Sequence, residues 1–171
     1  PGACLYDIGS GTGSVAIAAG RILKDEESRI FAVEKNPEGL ELIEKNRRKL
    51  IPHKKGFTIV PGTAPEALSA LPAPTHGFIG GSGGKLFSIL EVLLKKNQEA
   101  RIVITAITLE TLSECLKAMK HWEFARTEII QAGITQTVEA GPYHMQKAGN
   151  PVYIVTLEGG GGQKEEEENA L

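Results

Sequence analysis

CLYDIGSGTGS, residues 4–14, is the stretch on which the fold turns. Cys4 to Ile8 form a short apolar run that reads as a buried strand, and from Ser14 small apolar residues recur at helical spacing. Between them Gly9, Gly11 and Gly13 occupy alternate positions. A strand that enters a helix through a glycine turn opens a doubly wound sheet. There the helix N–H groups face a ligand, and bare backbone lets that ligand come close.

Working outward, short β-rich runs alternate with helical stretches. Strands are expected over Cys4–Ile8, Ile30–Glu34, Phe57–Val60, Gly77–Ile79 and Arg101–Ile107, and helices starting near Ser14, Pro37, Pro65, Gly84 and Leu109. Asn36-Pro37 is a helix-start signal, a capping residue followed by proline in the first turn. Apolar Leu40, Ile43, Leu50 and Ile51 among many charges make 37–51 an amphipathic surface helix. Alternation of this kind predicts a parallel sheet covered on both faces. After His121 it stops. A long β-rich stretch, ARTEIIQAGITQTVEA, leads through a connector, GPYHMQKAGNP, to a last strand, VYIVTLE. With no room for a crossover helix, these two β segments must pair antiparallel. The expected fold is α/β, a Rossmann-like, doubly wound sheet, mostly parallel with an antiparallel C-terminal strand pair.

The 171 residues suit one domain, expected over 1–158, with 41% hydrophobic and 23% charged residues as in ordinary soluble proteins. The last thirteen, GGGGQKEEEENAL (159–171), read as a disordered acidic tail. Taking its four Glu and one Lys from 21 acidic and 19 basic residues leaves 17 and 18. That near-neutral domain argues against a nucleic-acid partner. No apolar run is long enough for a membrane span and no signal pattern opens the chain, so a cytoplasmic location is expected. Cys4 and Cys115 read as small buried hydrophobes, and no metal site is evident. Pro1 stands a few residues before the glycine motif without an initiator Met, as in a fragment of a longer protein.

Two carboxylates narrow the ligand. Asp7, at the end of the first strand, would repel a pyrophosphate and welcome an ammonium group. Glu34, 21 residues beyond Gly13, ends the second strand, where a carboxylate accepts hydrogen bonds from both ribose hydroxyls. An amino-acid end, a ribose and no phosphate describe S-adenosylmethionine, with S-adenosylhomocysteine as product. The cofactor set is then Asp7 and the turn Gly9, Ser10, Gly11, Thr12 and Gly13, together with Glu34 and Lys35. Gly62, Thr63 and Ala64, after the third strand, are expected near the adenine. Thr63 equally fits a helix N-cap.

FIGGSGG, residues 78–84, is the second glycine run. Such glycine costs roughly 0.5–1 kcal/mol per residue in chain entropy, so the bare backbone asks for a reason. In methyltransferases of this type the loop after the fourth strand faces the methyl group, which would put Gly80 and Gly81 toward the cofactor. Methylation of exocyclic base amines is disfavoured, because the Asn/Asp-Pro-Pro-aromatic motif of those enzymes is missing there. Neither cysteine follows a proline, as the nucleophile of cytosine carbon-5 enzymes does. The substrate should bring its own nucleophile and need room.

DIGSGTGS, AVEKNP, GTAPEAL, FIGGSGGKL, ITAITLET and YHMQKAGNPVYIV, in this order, resemble the decarboxylating precorrin methyltransferase family of cobalamin biosynthesis over residues 3–158. The first motif is common to class I methyltransferases; the later ones are more specific. The resemblance implies methylation at carbon 15 of a precorrin or cobalt-precorrin, loss of carbon dioxide from the ring C acetate, and a cytoplasmic homotetramer. It also implies fusion or association with a carbon 5 methyltransferase in some bacteria. The family's segment before the first strand is absent here.

A polycarboxylate tetrapyrrole calls for N–H-rich and basic contacts. Ser82, Gly83, Gly84 and Lys85 at a helix start suit an anion, Thr105 and Thr108 end the fifth strand, and Tyr143, His144 and Lys147 approach from the C-terminal segment. His144 is the candidate for proton transfer, since an ordinary histidine pKa of about 6.5 suits it; a loop histidine without a role fits equally. Two other readings stand beside this one: a methyltransferase of the same fold acting on another small molecule or RNA, and a non-catalytic cofactor-binding scaffold.

Overall fold

The computed structural model describes residues 2–160, 162 and 163. In chain order it contains β1 (Cys4–Ile8), α1 (Ser14–Ile22), β2 (Arg29–Glu34), α2 (Pro37–Leu50), β3 (Phe57–Pro61), β4 (His76–Ile79), α3 (Leu86–Lys96), β5 (Arg101–Ala106) and α4 (Leu109–His121). The C-terminal part holds β6 (Trp122–Glu123), β7 (Arg126–Ala132), β8 (Thr135–Ala140), β9 (Tyr143–Ala148), β10 (Val152–Glu158) and β11 (Gly162–Gln163).

The main sheet runs in the order β3-β2-β1-β4-β5-β10-β7, with β1 to β5 parallel and β10 antiparallel to both β5 and β7. Strand order reverses between β1 and β4. Ile8 is in register with Val33 on one side and Ile79 on the other, so three strand ends open on one crevice. Ligands of open α/β sheets bind at such switch points.

Two apolar layers hold the sheet. On one face α3 buries Leu86, Ile89, Leu90, Leu93 and Leu94, a helical stripe, against Tyr6, Ile8, Ile79, Ile102 and Ile104. Burying each such side chain contributes about 1.5–3 kcal/mol. On the other face Ala16 of α1 and Ile43 of α2 pack on Ile30 and Ala32. Cys4 and Cys115 are buried free thiols, as expected. Leu50, expected on the apolar face of α2, is exposed, while Ile51 is buried.

Two expectations about elements need correction. The helix expected from Pro65 is a single 3-10 turn, Glu66–Leu68. Pro72 and Pro74 follow closely, and a proline bars its predecessor from helical backbone. The stretch 125–140 is two strands, β7 and β8, and the expected connector contains β9. β8 and β9 pair from Thr135↔Ala148 to Ala140↔Tyr143 and form a hairpin outside the main sheet. Gly141, with φ +61°, opens its two-residue loop. Of the expected tail, Gly162–Gln163 pair with Trp122–Glu123, whereas 161 and 164–171 lie outside the described residues. Among the described residues no helix is long and apolar enough to cross a membrane.

Candidate active site

Glu34 ends β2 at the switch point, 9% exposed, and its carboxylate is held by main chain. Oε2 accepts from the Gly11 N–H at 2.7 Å, and Oε1 from the N–H groups of Lys35 at 2.9 Å and Asn36 at 2.8 Å. Asn36 does occupy the N-cap position of α2, but its side chain caps nothing. Its N–H serves Glu34 instead. Three amides thus fix both oxygens without a cation, and remaining lone pairs stay available to hydroxyl donors.

Asp7 supports the turn from beneath. It is 1% exposed, and its Oδ2 accepts from Ser10 Oγ at 2.7 Å and from the Ala16 N–H at 2.9 Å. Burial raises its pKa, the charge of Glu34 adds to that, and the bonds from Ser10 and Ala16 oppose it. The N–H groups of Gly9 and Ser10 both bond the Val33 carbonyl at 3.0 Å, tying the turn to β2.

Against this turn lies the second glycine run. The Gly80 N–H donates to the Ile8 carbonyl at 2.9 Å. A Cβ on Gly9, where φ is +71°, would stand 2.7–2.9 Å from the Gly81 backbone. The two glycine loops therefore touch main chain to main chain. Gly83 and Gly84 have φ of +58° and +78°, left-handed backbone that favours glycine.

Two cavities, each of about 250 Å³, adjoin this seam. The first is lined by Gly9, Glu34 and Lys35, by Gly62, Thr63 and Ala64, and by Gly81, Ser82 and Gly83, with Ile8 and Val33 beneath. The second is lined by Gly80 to Gly84, Thr105, Ile107, Thr108 and Thr111, with Ile79 and Ile104. Gly81, Ser82 and Gly83 belong to both, so a chain of three residues with one short side chain parts them.

A sequence profile of the precorrin methyltransferase domain matches residues 1–158. The chain belongs to the precorrin methyltransferase family. A relative from Pyrobaculum calidifontis, called a probable cobalt-precorrin-6B C(15)-methyltransferase (decarboxylating), is 34% identical over 91% of this chain and 78% of its own. The cobalt-precorrin-6B C(15)-methyltransferase (decarboxylating) of Salmonella typhimurium is 31% identical over 95% of this chain and 79% of its own. Among solved structures, the precorrin-6y C5,15-methyltransferase of Geobacter metallireducens superposes with a TM-score of 0.77 at 34% identity, covering 91% of this chain and 80% of that one.

Within this precorrin methyltransferase fold the expected site residues divide into groups. Gly9, Glu34, Lys35, Gly62, Thr63, Ala64 and Gly81 line the first cavity together. Thr63 receives the Ala67 N–H through its carbonyl, not its hydroxyl. Asp7, Ser10, Gly11 and Gly13 are not among the lining residues: the first three build the support just described, and Gly13 starts α1 against Ile43. Thr12 faces away, into the groove between α1 and α2, and its carbonyl accepts from Asn46 Nδ2 at 3.0 Å. Gly80 lines the second cavity with Ser82, Gly83, Gly84, Thr105 and Thr108.

Four residues expected to meet the substrate are not brought to either cavity. Lys85 turns to Glu66, with Nζ 2.8 Å from Oε1. Tyr143, His144 and Lys147 lie along β9, exposed on the hairpin. The physical reason is the strand formed where a connector was expected: it carries these side chains off with β8. Thr111 and Ile107 line the second cavity and were missed. Thr111 had a readable signal, since it follows Thr108 at helical i+3 spacing and shares its face.

Proposed function

We propose that this chain transfers a methyl group from S-adenosylmethionine to carbon 15 of a precorrin or cobalt-precorrin and promotes loss of carbon dioxide from its ring C acetate. The observation that carries the reading is the Glu34 carboxylate, fixed by three amides at the mouth of one cavity that shares a glycine wall with another. The fit to the cofactor rests on this donor set. Glu34 meets the two ribose hydroxyls, Gly62 to Ala64 border the adenine, and the Gly9–Gly81 seam leaves room for the sulfonium end. S-adenosylmethionine supplies there a methyl group already activated on sulfur. What the chain adds is placement: holding reacting atoms in line is worth about 7–11 kcal/mol. The Gly80 N–H is engaged by the Ile8 carbonyl; the main chain of residues 81–84 lines the second cavity, where its N–H groups suit a substrate carboxylate.

The same reading includes a cytoplasmic homotetramer, in some organisms working with a carbon 5 methyltransferase. Ile134, Val138, Tyr143 and Met145 stand exposed on the β8–β9 hairpin. An isolated two-stranded hairpin is marginal in water, so burial of this apolar surface by further copies supports assembly.

The test combines cobalt-precorrin-6B with S-adenosylmethionine and follows product mass. A product that has gained a methyl and lost carbon dioxide is expected; a gain of methyl alone contradicts the double reaction. Glu34→Ala should weaken S-adenosylhomocysteine binding about 10- to 100-fold, the worth of charge-assisted hydrogen bonds, and erase any preference over the 2′-deoxyribose analogue. Affinity within twofold of the parent, or a preserved preference, rejects the ribose assignment.

A further inference from the structure

Ile107 and Leu109 flank Thr108 at the start of α4, and their side chains stand 61% and 74% exposed. Single exposed apolar residues are ordinary; the position of these two is not. Ile107 lines the second cavity, across from the bare backbone of Gly80 to Gly84. The three threonine hydroxyls nearby are engaged within the fold. Thr108 Oγ1 accepts from the Thr111 N–H at 3.2 Å and lies 3.1 Å from Thr111 Oγ1, while Thr105 Oγ1 donates to the Ile79 carbonyl at 3.4 Å. The surface offered to a ligand therefore has the aliphatic Ile107 on one side and, on the other, the glycine main chain of residues 81–84 with the single hydroxyl of Ser82.

That pairing matches a molecule with a broad apolar face and a carboxylate rim. We propose that Ile107, with Leu109 beside it, forms the shelf on which the conjugated face of the tetrapyrrole lies, and so fixes its position against the Gly81–Gly83 wall. This rests on the reading under Proposed function. Ile107 and Leu109 are substrate-positioning residues that leave the first cavity untouched: neither lines it.

The test is steady-state turnover of cobalt-precorrin-6B by the full chain, with Ile107→Ala and Leu109→Ala combined. The expected result is a rise in KM of about tenfold, because the truncated shelf covers less of the apolar face of the ring. The S-adenosylhomocysteine affinity should stay within twofold, and Ile107→Leu, which keeps the volume, should keep the parent KM. A parent-like KM in the double variant overturns the shelf. So does a change of oligomeric state by sedimentation with KM unchanged, which would assign the two residues to an interface between copies. Absence of turnover by the parent enzyme removes the tetrapyrrole reading itself, and the shelf with it.

Discussion

Gly9→Ala tests whether the two glycine loops meet as described. Two costs arise. The backbone at this position has φ +71°, where an L-residue is about 1–2 kcal/mol less favourable than in right-handed conformations. The new methyl would also stand 2.7 Å from the Gly81 carbonyl oxygen, 2.8 Å from its nitrogen and 2.9 Å from its Cα. All three are backbone atoms, so no rotamer change relieves the clash and the loop after β4 must move, an overpacking cost of about 1–3 kcal/mol. Together the loss is about 2–5 kcal/mol. Gly81→Ala is the internal control. Its φ is not positive, and the nearest atom to its added methyl is Gly9 Cα at 4.0 Å, so stability should stay within about 0.5 kcal/mol. Urea unfolding of parent and both variants, with S-adenosylhomocysteine calorimetry alongside, provides the measurement. Equal losses in the two variants, or a Gly9→Ala loss below about 1 kcal/mol, would refute the seam.

Two further outcomes are expected. Asp7 binds its proton more tightly folded than unfolded, since burial raises its pKa. Its contribution to stability is therefore greatest at low pH and falls as pH rises from about 3.9, the ordinary aspartate value, through the higher folded value. Asp7→Asn keeps an acceptor for Ser10 and Ala16 and removes that titration, so its melting temperature should gain on the parent as pH rises above about 4; a variant that loses ground with rising pH contradicts the assignment. Thr108→Ala removes the hydroxyl that accepts the Thr111 N–H and should cost about 1 kcal/mol in urea unfolding, whereas an unchanged midpoint would mean the cap contributes nothing.

The fold was legible where local pattern and tertiary demand agree. The strands that became β1 to β5 are short β-rich runs, and burial on both faces explains why β1 and β2 show no alternation. The antiparallel ending followed from the β-rich run ARTEIIQAGITQTVEA and the short connector GPYHMQKAGNP, which together leave no room for a crossover helix before VYIVTLE. Legibility failed where the pattern was polar. YHMQKA holds no β-branched residue, and only the Gly141-Pro142 pair marked the turn that makes it a strand. In the site, Glu34 was readable from its distance to the glycine turn, but its three amide partners depend on how β2 enters α2 and were not. Asp7 was read as facing the ligand. Its partners, Ser10 and Ala16, lie three and nine residues away, an arrangement that only the folded turn creates.

The seam between Gly9 and Gly81 has a consequence for redesign. Because main chain meets main chain there, the partition between the two cavities has no side chain to trim or enlarge at the point where the loops touch. A library that varies residues 80–84 one at a time would repaint the walls while leaving the spacing of the two chambers as it is. Altering that spacing requires the main chain to move, which a side chain at Gly9 forces only at a cost in stability, so a change of substrate size in this scaffold is reached by adding or deleting a residue in one loop more readily than by point substitution.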